Sequence, residues 1–227
     1  MRSLPIAAVT AVLLAGASAF ADGGTISGKI TFDGAAPAHK TVPVNKDPKV
    51  CGKDVPDDGW LVSSDGGVEN VVVYLDKVPG GKPATGEMKP TLDQKGCRYE
   101  PHFQVVPKGA ELQIKNSDPI LHNVHSFLGG STVINFAMPK KDQVLSKKLD
   151  KAGGMKLKCD VHSFMKGSIF VADNAYYAAT GKDGSYTIKD VPAGTYKIMS
   201  WHEEGAPKSG SVTVAAGGTA TWSAKIK

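Results

Sequence analysis

Apolar and polar residues alternate along this chain in short runs, and nearly every run is closed by Gly, Pro, Asp or Asn. The clearest are Thr25 to Phe32, Val68 to Leu75, Glu111 to Lys115, Met155 to Lys158, Ser168 to Val171, Ser185 to Ile188, Thr195 to Trp201 and Ser211 to Val214. A period of two, carried by β-branched and aromatic residues between turn formers, is the signature of a half-buried strand, and no helical period is sustained. Gln143 to Lys151 fits either one turn of helix or a strand that ends before a turn at Gly153-Gly154. Short strands at close spacing predict an all-β protein built as a sandwich or barrel.

The chain opens differently. Arg2 precedes an apolar stretch from Leu4 to Leu14, and small residues lead to Ala19-Phe20-Ala21. A charged start, an apolar segment too short to span a bilayer and an A-x-A site predict a secretory leader over residues 1–21. The mature chain is therefore expected in the periplasm or secreted medium, with no membrane insertion after cleavage. At 41% hydrophobic residues it can bury a normal core, as one large or two small domains. The formal charge of +5 comes from scattered lysines, with Lys140, Lys141, Lys147 and Lys148 the visible cluster. No basic stripe interleaved with aromatics is present, so nucleic acid is not an expected partner. Surface lysines can still steer an acidic partner in a salt-sensitive way.

Chemistry concentrates in one stretch. Cys159-Asp160-Val161-His162-Ser163-Phe164-Met165 sets a thiol, an imidazole and a thioether at two-residue separations, and His122 lies upstream in a His-Asn-Val-His run. Soft sulfur with imidazole selects copper, zinc or iron, and two His with one Cys and a weak axial Met is the ligand set of blue-copper electron transfer. Structural zinc asks for four short, strong bonds, for which Met is a poor donor. The expected cofactor is one type 1 copper ion, held by His122, Cys159, His162 and Met165. The cysteine count agrees: of three thiols in an exported chain, Cys51 and Cys97 can pair as a disulfide, leaving Cys159 as a metal thiolate.

From Tyr99 to Val171 the sequence resembles the cupredoxin family, and its amicyanin- and plastocyanin-like members in particular. The likeness rests on Phe103, Val105, Pro107-Lys108-Gly109, Leu112, Ile114, Asn116 and His122-Asn123-Val124-His125, then on Cys159, His162 and Met165. It implies a Greek-key sandwich with those four metal ligands and with His162 at the surface, its ring edge toward a partner. It also implies an Asn123 backbone N–H donated to the thiolate sulfur, and an Asn123 side chain tying the two ligand loops together. Phe127, Phe164 and Met138 are candidates for a docking patch. The function implied is a one-electron carrier between redox proteins such as a c-type cytochrome or a quinoprotein dehydrogenase.

The flanks resemble another sandwich. Ile26 to Gly34 and Val71 to Leu75 ahead, with Asp183 to Tyr186, Val191 to Tyr196 and Gly210 to Val214 behind, look like a transthyretin-like, carboxypeptidase regulatory-like fold. The expected layout is therefore 22–86 plus 175–227 as one small sandwich, with a copper domain over 87–174 inserted in or joined to it. The competing layout gives the N-terminal strands to the copper domain and leaves a separate C-terminal module.

Of the other histidines, His125 follows His122 by three and on a strand faces the opposite way, so it is a poor ligand for the same ion. His102 and His202, the latter beside Glu203 and Glu204, are candidates for a second weak metal site. His39 is expected to be a solvated loop residue. No nucleophile elbow, zinc-protease motif or phosphate loop is present, and the protein is not expected to be an enzyme. Two other readings remain open: a periplasmic copper-handling protein with the metal as cargo, and a non-catalytic carbohydrate-binding or scaffold module.

Overall fold

The computed structural model describes residues 23–38 and 40–227. The leader at 1–21 and His39 lie outside the described residues. Apart from one short helix, Pro48–Cys51, the secondary structure described is strand. No described helix is long and apolar enough to cross a membrane.

Strand pairing sorts the chain into two sandwiches. Gly24–Phe32 pairs antiparallel with Ser185–Val191 and parallel with Thr219–Thr221 and Ala224–Ile226. The facing sheet runs Tyr177–Ala179, Val72–Leu75, Gly194–Trp201, Lys208–Val214. Between them Ile26, Ile30, Val73, Leu75, Ile188, Ile198 and Val212 form one buried core. This flanking sandwich is thus made from the two ends of the described chain. The central sandwich has a five-stranded sheet in the order Ser131–Met138, His122–Leu128, Gly153–Lys158, Lys166–Ala172, Phe103–Pro107. A second sheet, in the order Gln143–Lys148, Glu111–Asn116, Thr91–Gln94, Tyr99–Glu100, closes it over Leu92, Leu112, Ile114, Val124, Ile134, Leu157 and Ile169.

The polarity pattern accounts for these placements. In Glu111–Asn116 the residues Leu112, Ile114 and Asn116 point inward while Gln113 and Lys115 point out, the alternation of a sheet with one wet face. Lys166–Ala172 breaks that alternation, because Gly167 through Ala172 are all buried. Its Ile169 and Val171 face the central core, while Phe170 and Ala172 join Val72, Tyr74, Phe103 and Trp201 in a third cluster between the sandwiches. A strand covered on both faces loses its polar phase.

Three expectations are corrected. Residues 41–56 fall inside the predicted 22–86 unit, yet Val42, Val44, Val50, Cys51 and Val55 pack on the central core. The small hairpin Thr41–Pro43 with Asp54–Pro56 and the helix between its strands are thereby laid across the central sandwich. Gln143–Lys148 is a strand, but Gly153-Gly154 does not make a turn; it starts the next strand. A Cβ at Gly154 would stand 1.9 Å from the Trp201 ring, so glycine is needed for close approach of the two sandwiches. Of Val68 to Leu75 only Val72–Leu75 is a strand, since Asn70 takes φ 63° and turns the chain there.

Candidate metal centre

His122 is the first residue of its strand, at the end of the sheet where the 159–165 loop crosses over. That loop joins Gly153–Lys158 to Lys166–Ala172 and is closed by two main-chain bonds, Cys159 N–H to Met165 O (3.2 Å) and Met165 N–H to His162 O (3.0 Å). The two-residue spacing therefore folds into a tight turn that carries Cys159, His162 and Met165 together. All four side chains are buried, and the donor atoms of His122, Cys159 and His162 lie within 4.8 Å of one another.

The two imidazoles meet through their Nδ1 atoms at 3.1 Å, and Cys159 Sγ is 3.8 Å from His162 Nδ1. Each outer nitrogen is occupied: His122 Nε2 lies 2.9 Å from Asp118 Oδ2, and His162 Nε2 lies 2.9 Å from Asp47 Oδ2. A carboxylate can only accept, so each Nε2 carries a proton, and on a neutral ring the Nδ1 is then a lone pair turned inward. The two Nδ1 atoms face each other beside a thiol, away from water. Burial lowers the His122 pKa, against the opposing pull of Asp118, so the uncharged ring is favoured there. The pocket thus sets two ring nitrogens and one sulfur around a space that suits a cation, and the donor chemistry fits copper.

Other expected residues fall in different places. His162 is fully buried under Asp47, not at the surface, because the 41–56 segment covers it. The N–H that meets Cys159 Sγ is that of His162, at 3.4 Å, in place of the one expected from Asn123. The Asn123 side chain accepts the Asp160 N–H at 2.9 Å and donates to Asn135 at 2.7 Å, joining strand to loop. Met138 is buried and its sulfur accepts from Gln94 Nε2; Phe164 is buried as well. Neither can present a docking face, and of the three only Phe127 is partly open, with Lys158 over its ring. Cys51 and Cys97 are joined as a disulfide, which removes Cys97 from the second clustered set of donors, Cys97, Asp118 and His122.

His125 lies on the opposite strand face from His122 and bridges Asp160 and Thr132. His102 is consumed by Glu203: burial pulls its pKa down, but the carboxylate outweighs burial and holds it above the usual value. His202 stacks on Trp60 at 4.3 Å, and its Nδ1 accepts the N–H groups of Glu204 and Gly205. Burial first, then the charges of His102 and Lys156, push its pKa down to about 4. Neither of these rings belongs to a convergent set of three metal donors among the described residues.

Asp47 and Asp118, which hold the outer nitrogens of the two rings, are the site residues that sequence reading missed. Asp118 stands four before His122, a spacing with no meaning on a loop of unknown shape. Asp47 is 115 residues from His162 and carried no signal.

Comparison with known proteins finds likenesses to copper proteins over less than half of the chain. It is similar to a mutant of amicyanin in its Cu(I) form, at 24% identity and a TM-score of 0.34, over 44% of this chain and 97% of that one. It is similar to the copper-containing nitrite reductase NirK from Thermus scotoductus SA-01, at 19% identity and 0.35, over 44% of this chain and 25% of that one. A purple cupredoxin from Nitrosopumilus maritimus aligns at 19% identity and 0.32, over 37% of this chain and all of that one. A family profile described as polysaccharide lyase family 4, domain II matches residues 151–222, a span that straddles both sandwiches. No curated protein matches the chain.

Proposed function

We propose that the protein is an exported one-electron carrier with a type 1 copper site held by His122, Cys159, His162 and Met165. The observation that carries this reading is the pair of imidazole Nδ1 atoms 3.1 Å apart beside the free thiol of Cys159, each ring anchored by a carboxylate on its far side. Copper bound there would supply a reversible one-electron couple, and the four donors are what would hold it.

The chain's own part is rigidity. His122 is fixed by its strand and by Asp118, and His162 by the loop's main-chain bonds and by Asp47. Donors held this firmly have little to rearrange when the charge at the site changes, which is the condition for fast outer-sphere transfer. Burial of every donor keeps water out and leaves no open side for a substrate, so the reading is of a carrier and not an enzyme. The redox partner is proposed to be a c-type cytochrome or a quinoprotein dehydrogenase in the periplasm. The flanking sandwich, proposed to be transthyretin-like, would position the copper unit.

An optical and paramagnetic resonance spectrum of the oxidised, copper-loaded chain tests the reading. An intense sulfur-to-copper charge-transfer band with a reversible potential is expected. A colourless protein that yields its copper to a chelator would instead make the metal cargo.

A further inference from the structure

The short helix Pro48–Cys51 breaks a local rule. Asp47 occupies its N-cap, where an aspartate ordinarily accepts the N–H of the second or third helical residue. Here the carboxylate makes no such bond, and the residue sits at φ 52°, a left-handed conformation that costs a non-glycine residue free energy. The side chain is turned instead onto His162 Nε2 at 2.9 Å. Where local preference yields in this way, a tertiary demand is being met.

Asp118 makes the matching contact from the other side. Its Oδ2 takes the His122 Nε2–H at 2.9 Å and the Cys97 N–H at 2.8 Å, while Oδ1 takes the Gly96 N–H at 2.9 Å. Its own N–H donates to Asn116 Oδ1 at 3.0 Å, and Asn116 Nδ2 in turn binds the carbonyls of Ile120 and Met138. Both carboxylate oxygens are thereby held in place.

The disulfide joins the two supports. Cys51 closes the helix that Asp47 begins, its N–H donating to Asp47 O at 3.0 Å, and Cys97 is the residue whose N–H holds Asp118. One covalent link, Cys51–Cys97, therefore ties the backbone beneath both carboxylates.

We propose that Asp47 and Asp118 are the positioning residues of the metal centre, a carboxylate pair that aims both Nδ1 atoms inward, with the Cys51–Cys97 disulfide locking the pair into one unit. The proposal rests on the copper reading above. Its electrostatic consequence follows from counting charge. Two carboxylates and one thiolate surround the site, so the more highly charged copper(II) is favoured over copper(I), and hydrogen bonds from the ring N–H groups to carboxylates raise ligand basicity in the same direction. Asp118, which is the more buried, acts through less solvent than Asp47, whose side chain is 39% exposed.

The test uses the full chain loaded with copper, in its parent form and as Asp47→Asn and Asp118→Asn. Loss of such an outer partner typically costs about 10–100-fold in metal affinity. If copper(II) alone feels it, the midpoint potential rises by about 60–120 mV, at about 59 mV per tenfold for one electron. Asp118→Asn should shift more than Asp47→Asn, and the Cys51→Ser, Cys97→Ser double variant should shift in the same direction. Potentials within about 20 mV of the parent in both aspartate variants, a third of the shift that one tenfold loss produces, overturn the proposal while leaving the copper assignment intact. Asp118→Asn disturbs the Gly96–Cys97 turn; if that variant misfolds, Asp47→Asn, which removes nothing that the core needs, decides the question by the same criterion of about 20 mV, a third of the shift of about 59 mV that one tenfold loss produces.

A readout independent of copper separates the two failures. In the metal-free chain, nitrogen-15 spectra should show His122 and His162 as Nε2–H tautomers, and Asp47→Ala should disturb His162 only. A parent with Nε2 unprotonated on either ring overturns the positioning role. A parent with that tautomer pattern but no copper–sulfur band overturns the copper reading instead.

Discussion

Among the described residues two histidine pairs stand apart, and one of them is built like a metal centre. Around His122 and His162 the carboxylates bind the outer nitrogens, which turns the inner ones toward each other and toward the Cys159 sulfur. Around His102 and His202 the partners are used up one at a time. Glu203 neutralises His102, and His202 spends its Nδ1 on two backbone N–H groups while its face lies on Trp60. The residue types overlap, and of the four rings only His102 is partly open to water. What differs is whether unpaired donors converge, and a ring nitrogen already satisfied has nothing left for a metal.

The sharpest way to break that comparison is at the ligands. Cys159→Ser should abolish the intense visible absorption of the oxidised, copper-loaded chain, whereas His102→Gln and His202→Phe should leave both the band and a stoichiometry of one copper per chain. Loss of copper in His202→Phe, measured by metal analysis of folded protein, would put the second pair on the same footing as the first.

Stability comes next. Replacing both Cys51 and Cys97 by Ser releases a crosslink between residues 46 apart and should lower the unfolding free energy by about 3–4 kcal/mol in denaturant titrations. A loss below about 1 kcal/mol would mean that the 41–56 segment is held by packing alone.

The second pair has its own signature in pH. His202 is buried and uncharged, with a folded pKa of about 4 against 6.5 for a solvated imidazole. The unfolded chain therefore takes up a proton below about pH 6.5 that the native chain refuses. The contribution of His202 is fully present above that pH and is lost as pH falls toward 4, by about 3 kcal/mol in all. His102, raised by Glu203, works the other way, adding stability at low pH that fades as pH rises through its folded value. The difference between parent and His202→Phe, followed by thermal unfolding from about pH 7.5 to about 4, should isolate the first effect; a constant difference would show that His202 takes up its proton as readily in the native state as in the unfolded chain.

Smaller again is the contact between the sandwiches. Gly154→Val forces a side chain against the Trp201 ring and should cost about 1–3 kcal/mol by overpacking. At the bottom of the scale, Lys148→Ala removes an ion pair to Asp150 whose partners are 66% and 64% exposed, and stability should move by less than about 0.5 kcal/mol.

Much of this is legible without any coordinates. The strands Gly24–Phe32, Glu111–Asn116 and Gly194–Trp201 announce themselves because one face of each is wet and the alternation survives. His122–Leu128 is less visible, since His122, Asn123 and Val124 are buried in succession and the polar phase is lost. Cys159, His162 and Met165 can be read as a set because one short loop carries all three donors. The segment 41–56 escapes correct assignment because its apolar residues, Val42, Cys51 and Val55, are compatible with either core.

The sequence alone determined a β-protein with a soft-donor loop, because strand period and ligand spacing are local properties that a few consecutive residues carry. The tertiary structure decided which nitrogen of each ring faces inward, that His162 is covered and that Asp47 and Asp118 hold the pair. Those facts join residues as far apart as Asp47 and His162, and a bond between distant side chains leaves no periodic mark on either partner's neighbours.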